Sequence, residues 1–175
     1  MAHRALWLPM LLLVACAGKK ANEQVLFSEP LDDNAGVLST EQMVVDKTIS
    51  ADGVASLRVE TKEPLRLHLV EVPLQDLDDT VLQFRAKLRS QNFDGVAYLE
   101  MWCRVKGKGE FFSRALHDPL RGDQNWISQQ TPFFLQRGQH ADLVRLNLVI
   151  DGRGSVWVDQ LELLQNAAEG TGAAR

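Results

Sequence analysis

Tyr98, Glu100, Trp102 and Arg104 stand at every second position of one segment, and Ala97, Leu99, Met101, Cys103 and Val105 alternate with them. In an extended strand, successive side chains point to opposite faces. One face then carries two aromatic rings, a carboxylate and a guanidinium, and the other is apolar. That mixture suits a sugar, whose C–H face stacks on an aromatic ring while charged groups bond its hydroxyls. Other period-two segments supply Arg145 and Asn147, Arg85 and Lys87, and Arg66 and His68, all expected on the same sheet face. Collected there, they make the face net basic, which suits an acidic glycan or another anionic ligand. The competing reading is a solvated face, since cross-strand charge pairs and aromatics decorate many sheets.

Catalytic signatures are sparse. The chain has no Gly-x-Ser-x-Gly elbow, no phosphate loop and no cysteine–histidine partnership with local context. Glycoside hydrolysis needs a pair of carboxylates, but the positions two away from Glu100 are Tyr98 and Trp102. Arg, His and Tyr, which polysaccharide lyases can use, do occur on the candidate face. The four histidines at 3, 68, 117 and 140 show no metal-ligand spacing. Trp126, Phe133 and Phe134 follow a turn-rich stretch and fit either a loop platform for a ligand or a second core layer. Trp157 is expected to be packed. Arg121-Gly122-Asp123 reads as a turn.

The elements that position these groups are strands. Leu82, Phe84, Ala86 and Leu88 oppose Gln83, Arg85, Lys87 and Arg89; Val144, Leu146, Leu148 and Ile150 oppose Arg145 and Asn147. Turn signals at Asp52-Gly53, Asp94-Gly95, Gly107-Lys108-Gly109, Arg137-Gly138 and Asp151-Gly152-Arg153-Gly154 favour tight turns. The pattern predicts strands at about 24–28, 42–49, 54–61, 64–72, 80–89, 95–105, 109–115, 125–134, 142–150 and 154–164. No helical period persists over three turns. Many short strands with regular turns predict an all-β, antiparallel two-sheet β-sandwich.

Two segments carry a family resemblance. Gly154-Ser155-Val156-Trp157-Val158-Asp159-Gln160-Leu161-Glu162-Leu163 resembles the last strand of jelly-roll carbohydrate-binding modules and other galactose-binding-like domains. Asp52-Gly53-Val54-Ala55-Ser56-Leu57-Arg58-Val59 resembles their Gly–x–x–Ser–Leu–x–Val strand. The resemblance covers roughly 40–165 and implies a jelly-roll; a shared fold does not settle function. It also implies a place for a structural calcium between the first and last strands, with Glu29, Asp32, Asp33 and Asp159 as candidate oxygens. Calcium needs six or more oxygens, and no loop supplies an ordered set. The alternative is that these acids cap turns and that Asp159 braces its strand. No metal or other cofactor is otherwise expected.

The chain begins with a basic start and a short apolar run, Leu6 to Ala15, which is too short to span a membrane as a helix and describes a signal peptide. Leu13-Val14-Ala15-Cys16 resembles the lipobox of bacterial lipoproteins. That resemblance implies cleavage before Cys16, a diacylglycerol on its thiol and a membrane anchor. Two or more acyl chains hold durably where one binds reversibly. Ala17, where an Asp favours inner-membrane retention, implies the outer membrane of a bacterium that has one. The expected organisation is a signal peptide over 1–15, lipidated Cys16 and a tether over 16–24, a sandwich domain over 25–165 and a flexible tail over 166–175.

Loss of the leader removes Arg4 and takes the net charge from −4 to −5. That mild acidity argues against a nucleic-acid partner. With Cys16 lipidated, Cys103 is unpaired and is expected to be a small buried hydrophobe. These readings predict a membrane-anchored, non-catalytic binding lipoprotein of the cell envelope with a glycan as its ligand. The alternatives are a structural lipoprotein docking an envelope protein and a small polysaccharide-active enzyme.

Overall fold

The computed structural model describes residues 23–167. The expected leader, Cys16 and most of the tether lie outside that span. Nine strands follow in order: β1 Gln24–Glu29, β2 Val44–Asp46, β3 Ser56–Thr61, β4 Leu65–Leu77, β5 Thr80–Val105, β6 Gly109–Arg114, β7 Leu120–Arg121, β8 Gln124–Leu135 and β9 Ala141–Ala167. All pairings are antiparallel. A single 3-10 turn at Thr40–Gln42 is the helical content among the described residues.

β5 and β9 run through both layers of a sandwich. Their N- and C-terminal halves pair in opposite order, so Lys87 meets Asp159 near one end and Trp102 meets Arg145 near the other. The first layer holds β2, β3, the C-terminal half of β9, the N-terminal half of β5, and β8, with β1 beside the end of β9. The second layer, called the front layer below, holds β4, the N-terminal half of β9, the C-terminal half of β5, and β6 with β7. Leu82, Phe84 and Leu88 from one half of β5 and Leu99, Met101 and Cys103 from the other belong to one buried core.

The expected turns at Asp94-Gly95 and Asp151–Gly154 are a different device. They are paired with each other, Asp94 opposite Arg153 and Gly95 opposite Gly152, where both strands bend from one layer into the other. The reason is steric: a Cβ on Gly95 would sit 2.6 Å from the Cα of Gly152, and a Cβ on Gly152 2.6 Å from the Cα of Gly95. Backbones this close tolerate only glycine. Four expected strands therefore merge into two long ones. The strand end is also corrected: Asn166 and Ala167 pair with Val81 and Thr80, whose hydroxyl donates to the Asn166 carbonyl at 2.7 Å. The first two residues of the expected tail over 166–175 are thus in the sheet, and the rest lies outside the described residues.

Candidate functional site

The outward side of the front layer carries the predicted residues in cross-strand rows. Glu71, Arg145, Trp102 and Phe112 form one row across β4, β9, β5 and β6; His68, Asn147, Glu100 and Arg114 form the next. Arg66, Val149 and Tyr98 form a third. Opposed residues of an antiparallel ladder share a face, so Tyr98, Glu100, Trp102, Arg104, Arg145 and Asn147 do come together, with Arg66 and His68. Ala97, Leu99, Met101, Cys103 and Val105 are buried on the other side, as their alternation requires.

Glu100 organises this face. Its side chain is 0 % exposed although it points outward. Trp102 Nε1–H donates to Oε1 at 2.8 Å, Asn147 Nδ2–H donates to the same oxygen at 3.2 Å, and Arg114 Nε–H donates to Oε2 at 2.7 Å. Arg66 Nε forms an ion pair with Oε1 at 3.1 Å. Burial pushes the Glu100 carboxyl up, but the bonds from Trp102, Arg114 and Asn147 and the charge of Arg66 together hold it below the usual carboxylate range. Glu100 is thus corrected from a ligand-facing group to a buried anion that orients its neighbours.

The aromatic surface lies beside this centre. Half-buried Trp102 packs on Phe112, ring centroids 5.1 Å apart at 42°, and the Arg114 guanidinium lies 4.4 Å from the Phe112 centroid. Phe112 is 51 % exposed. Tyr98 sits four residues from Trp102 on β5, roughly 13 Å along the strand. It borders a shallow depression of about 440 Å³ with Arg66, Val149 and Asp151.

Arg85 and Lys87 do not reach this face. They precede the bend of β5 and project from the other layer, where Arg85 bonds Glu162 at 2.8 Å and Lys87 donates to the Ser128 hydroxyl at 2.6 Å. The expected net positive charge is also corrected. Arg145 pairs with Glu71 at 2.9 Å and Glu110 at 2.7 Å, and Arg104 pairs with Asp142 at 2.6 Å. With Arg66 and Arg114 on Glu100, the face is balanced overall. Exposed Arg104 is consequently committed to Asp142, which lowers that carboxyl first through the hydrogen bond.

Phe112, Arg114 and Glu71 were not singled out in the sequence. The signal for the first two was present: the Gly107–Gly109 turn sets a hairpin in which Trp102 opposes Phe112 and Glu100 opposes Arg114.

Trp157 and Phe133 serve the fold. Trp157 is 3 % exposed, donates to Asp46 Oδ2 at 2.9 Å and lies within 5.3 Å and 5.8 Å of the Arg58 and Arg89 guanidiniums. The segment with Trp126, Phe133 and Phe134 is strand β8 and not a loop; Phe133 packs on the core and Phe134 is exposed. Cys103 is fully buried, and burial pushes its thiol up to about 12.

Three of the four acids named for calcium accept backbone N–H groups. Asp32 Oδ1 takes those of Val54 and Ala55, Asp33 Oδ1 that of Ala35, and Asp159 those of Ala51, Asp52 and Gln160. Asp159 is buried, which raises its carboxyl despite those bonds. Glu29 ends β1. Among the described residues, no group of three His, Cys, Asp or Glu is placed to hold a metal.

No family model matches the chain, and no curated protein matches it. Solved structures do. The xylan-binding domain CBM22-1 of Xyn10C from Paenibacillus barcinonensis superposes with a TM-score of 0.54 at 14 % identity, covering 87 % of this chain and 99 % of that one. TmCBM61, solved in complex with β-1,4-galactotriose, gives 0.53 at 14 % identity over 80 % and 97 %. Another family 22 xylan-binding domain gives 0.55 at 10 % identity over 82 % and 96 %. At such identities the likeness shows the fold, and the fold is the all-β jelly-roll sandwich of carbohydrate-binding modules.

Proposed function

We propose that this chain is a non-catalytic, lipid-anchored module of a bacterial envelope that binds glycan on the outward face of the front layer. One observation carries the reading: half-buried Trp102 and exposed Phe112 form an aromatic surface whose indole is pinned by a buried carboxylate, in a fold whose solved neighbours include modules described as xylan-binding or bound to galactotriose. A pre-oriented ring offers a sugar a stacking surface at little ordering cost. The solvent-facing nitrogens of Arg66 and Arg114 supply hydrogen bonds to hydroxyls. Glu100 does not suit acid catalysis, because a general acid needs a raised pKa and Glu100 is held low. The lipobox reading of Cys16 adds the membrane.

The test is a glycan array probed with the full chain and with Trp102→Ala and Trp157→Ala. Binding lost in the first variant and kept by the folded fraction of the second supports the reading. An array that stays flat for the wild-type chain removes it. For the anchor, Cys16→Ser is expected to abolish palmitate labelling and release the chain from the membrane fraction. A second reading, docking of an envelope protein, is favoured by edge strand β6, where Phe111, Phe112 and nearby Leu116 are all exposed.

A further inference from the structure

The charges on this face balance overall but not locally. Arg145 has two carboxylates, Glu71 and Glu110, and Arg104 has Asp142. Arg66 and Arg114 share one, Glu100. Asp151, on the rim of the depression beside Arg66, makes no ion pair with it and stands in one row with Arg121 across Val96. The centre of the face is therefore short of one negative charge, and its margin carries the excess.

The geometry makes that centre accessible to a ligand. Arg66 and Arg114 approach the two oxygens of Glu100 from opposite sides, each through Nε, at 3.1 Å and 2.7 Å. Their terminal amino groups have no hydrogen-bond partner among the described residues, and the side chains are 53 % and 30 % exposed. Glu100 itself is fully buried, so an incoming anion meets guanidinium and not carboxylate. Tyr98 and Trp102 flank the spot along β5, two residues to either side of Glu100.

We infer that the glycan carries a carboxylate, as a uronic acid does, and that this group binds between the Arg66 and Arg114 guanidiniums while neighbouring sugars stack on Trp102 and Tyr98. This inference rests on the glycan-binding reading above. Guanidinium suits it, because its planar fork matches a carboxylate in two hydrogen bonds.

The test measures the full chain, purified in detergent, by titration calorimetry against xylotetraose, the same tetraose with one glucuronic acid branch, galactotriose and trigalacturonate. Charge-assisted hydrogen bonds of this kind correspond to roughly ten- to a hundredfold in affinity. The uronate member of a pair is expected to bind at least tenfold more tightly, with the gap narrowing as salt is raised. Arg66→Gln, at an exposed position, is expected to weaken the uronate member more than the neutral one and so bring the two members together. Equal affinity for both members overturns this inference and leaves glycan binding standing. Preference for uronate that survives both Arg66→Gln and Arg114→Gln also overturns it. Failure of all four to bind, with a flat array, removes the glycan reading itself.

Discussion

Replacing Glu100 by alanine removes the one carboxylate that four neighbours share. Trp102 Nε1, Asn147 Nδ2 and Arg114 Nε lose their acceptor, and Arg66 loses its counter-ion. Removing one partner of a buried ion pair costs about 3–5 kcal/mol. Here the arginines are partly exposed and can turn to water, so the expected loss is smaller, roughly 2–3 kcal/mol. For a domain of this size each kcal/mol shifts Tm by about 2–4 °C, so Tm is expected to fall by roughly 4–12 °C. The control is Glu71→Ala, whose side chain is 42 % exposed and whose pair is expected to contribute about 0.2–1 kcal/mol. Urea unfolding of the two variants and the wild type gives the comparison. If Glu100→Ala and Glu71→Ala lose the same small amount, Glu100 does not organise the face.

Gly95→Ala and Gly152→Ala are each expected to destabilise by at least about 1–3 kcal/mol through overpacking, because the new Cβ meets the backbone of the opposite strand; unchanged urea midpoints contradict the account of the bend. Trp157→Ala is expected to cost about 3–5 kcal/mol as a core truncation, with glycan affinity of the folded fraction unaltered. Cys103 is expected to resist Ellman's reagent at pH 8 in the native chain and to react fully in denaturant, since its thiol lies at about 12. On acidification, Glu100 and Asp46, the latter held at about 2 first by its bond from Thr48, contribute stability that is present above the ordinary carboxylate range. That stability is lost as pH falls from about 4.5 towards 2. Asp159, which is held high, acts in the opposite sense. That opposing effect lies above the ordinary aspartate value of 3.8, so below it urea midpoints are expected to fall, and midpoints that rise there contradict the account.

The strand content and the buried side of each strand were legible because alternation is local: Ala97 to Val105 needs no knowledge of its partners to be read as inward. The front-layer face was legible in part for the same reason. What the alternation of Val81 to Arg89 could not reveal was that β5 changes layer at Gly95. Arg85 and Lys87 keep the right parity and still face a different way. Gly95 and Gly152 have the composition of turns, and only their mutual pairing shows them to be a crossing of strands. The role of Glu100 was hidden because it depends on three other strands: Arg66 on β4, Asn147 on β9 and Arg114 on β6. A carboxylate in an outward position reads as exposed until those neighbours close over it.

The most direct measurement of the central claim is the indole N–H signal of Trp102 in a nuclear magnetic resonance titration with the xylan-, galactan- and uronate-type oligosaccharides named above. The account predicts that a saturable shift appears at Trp102 while the Trp157 signal, locked on Asp46 beneath two arginines, stays in place. Saturable glycan binding that moves Trp126 or Trp157 and leaves Trp102 unmoved contradicts it.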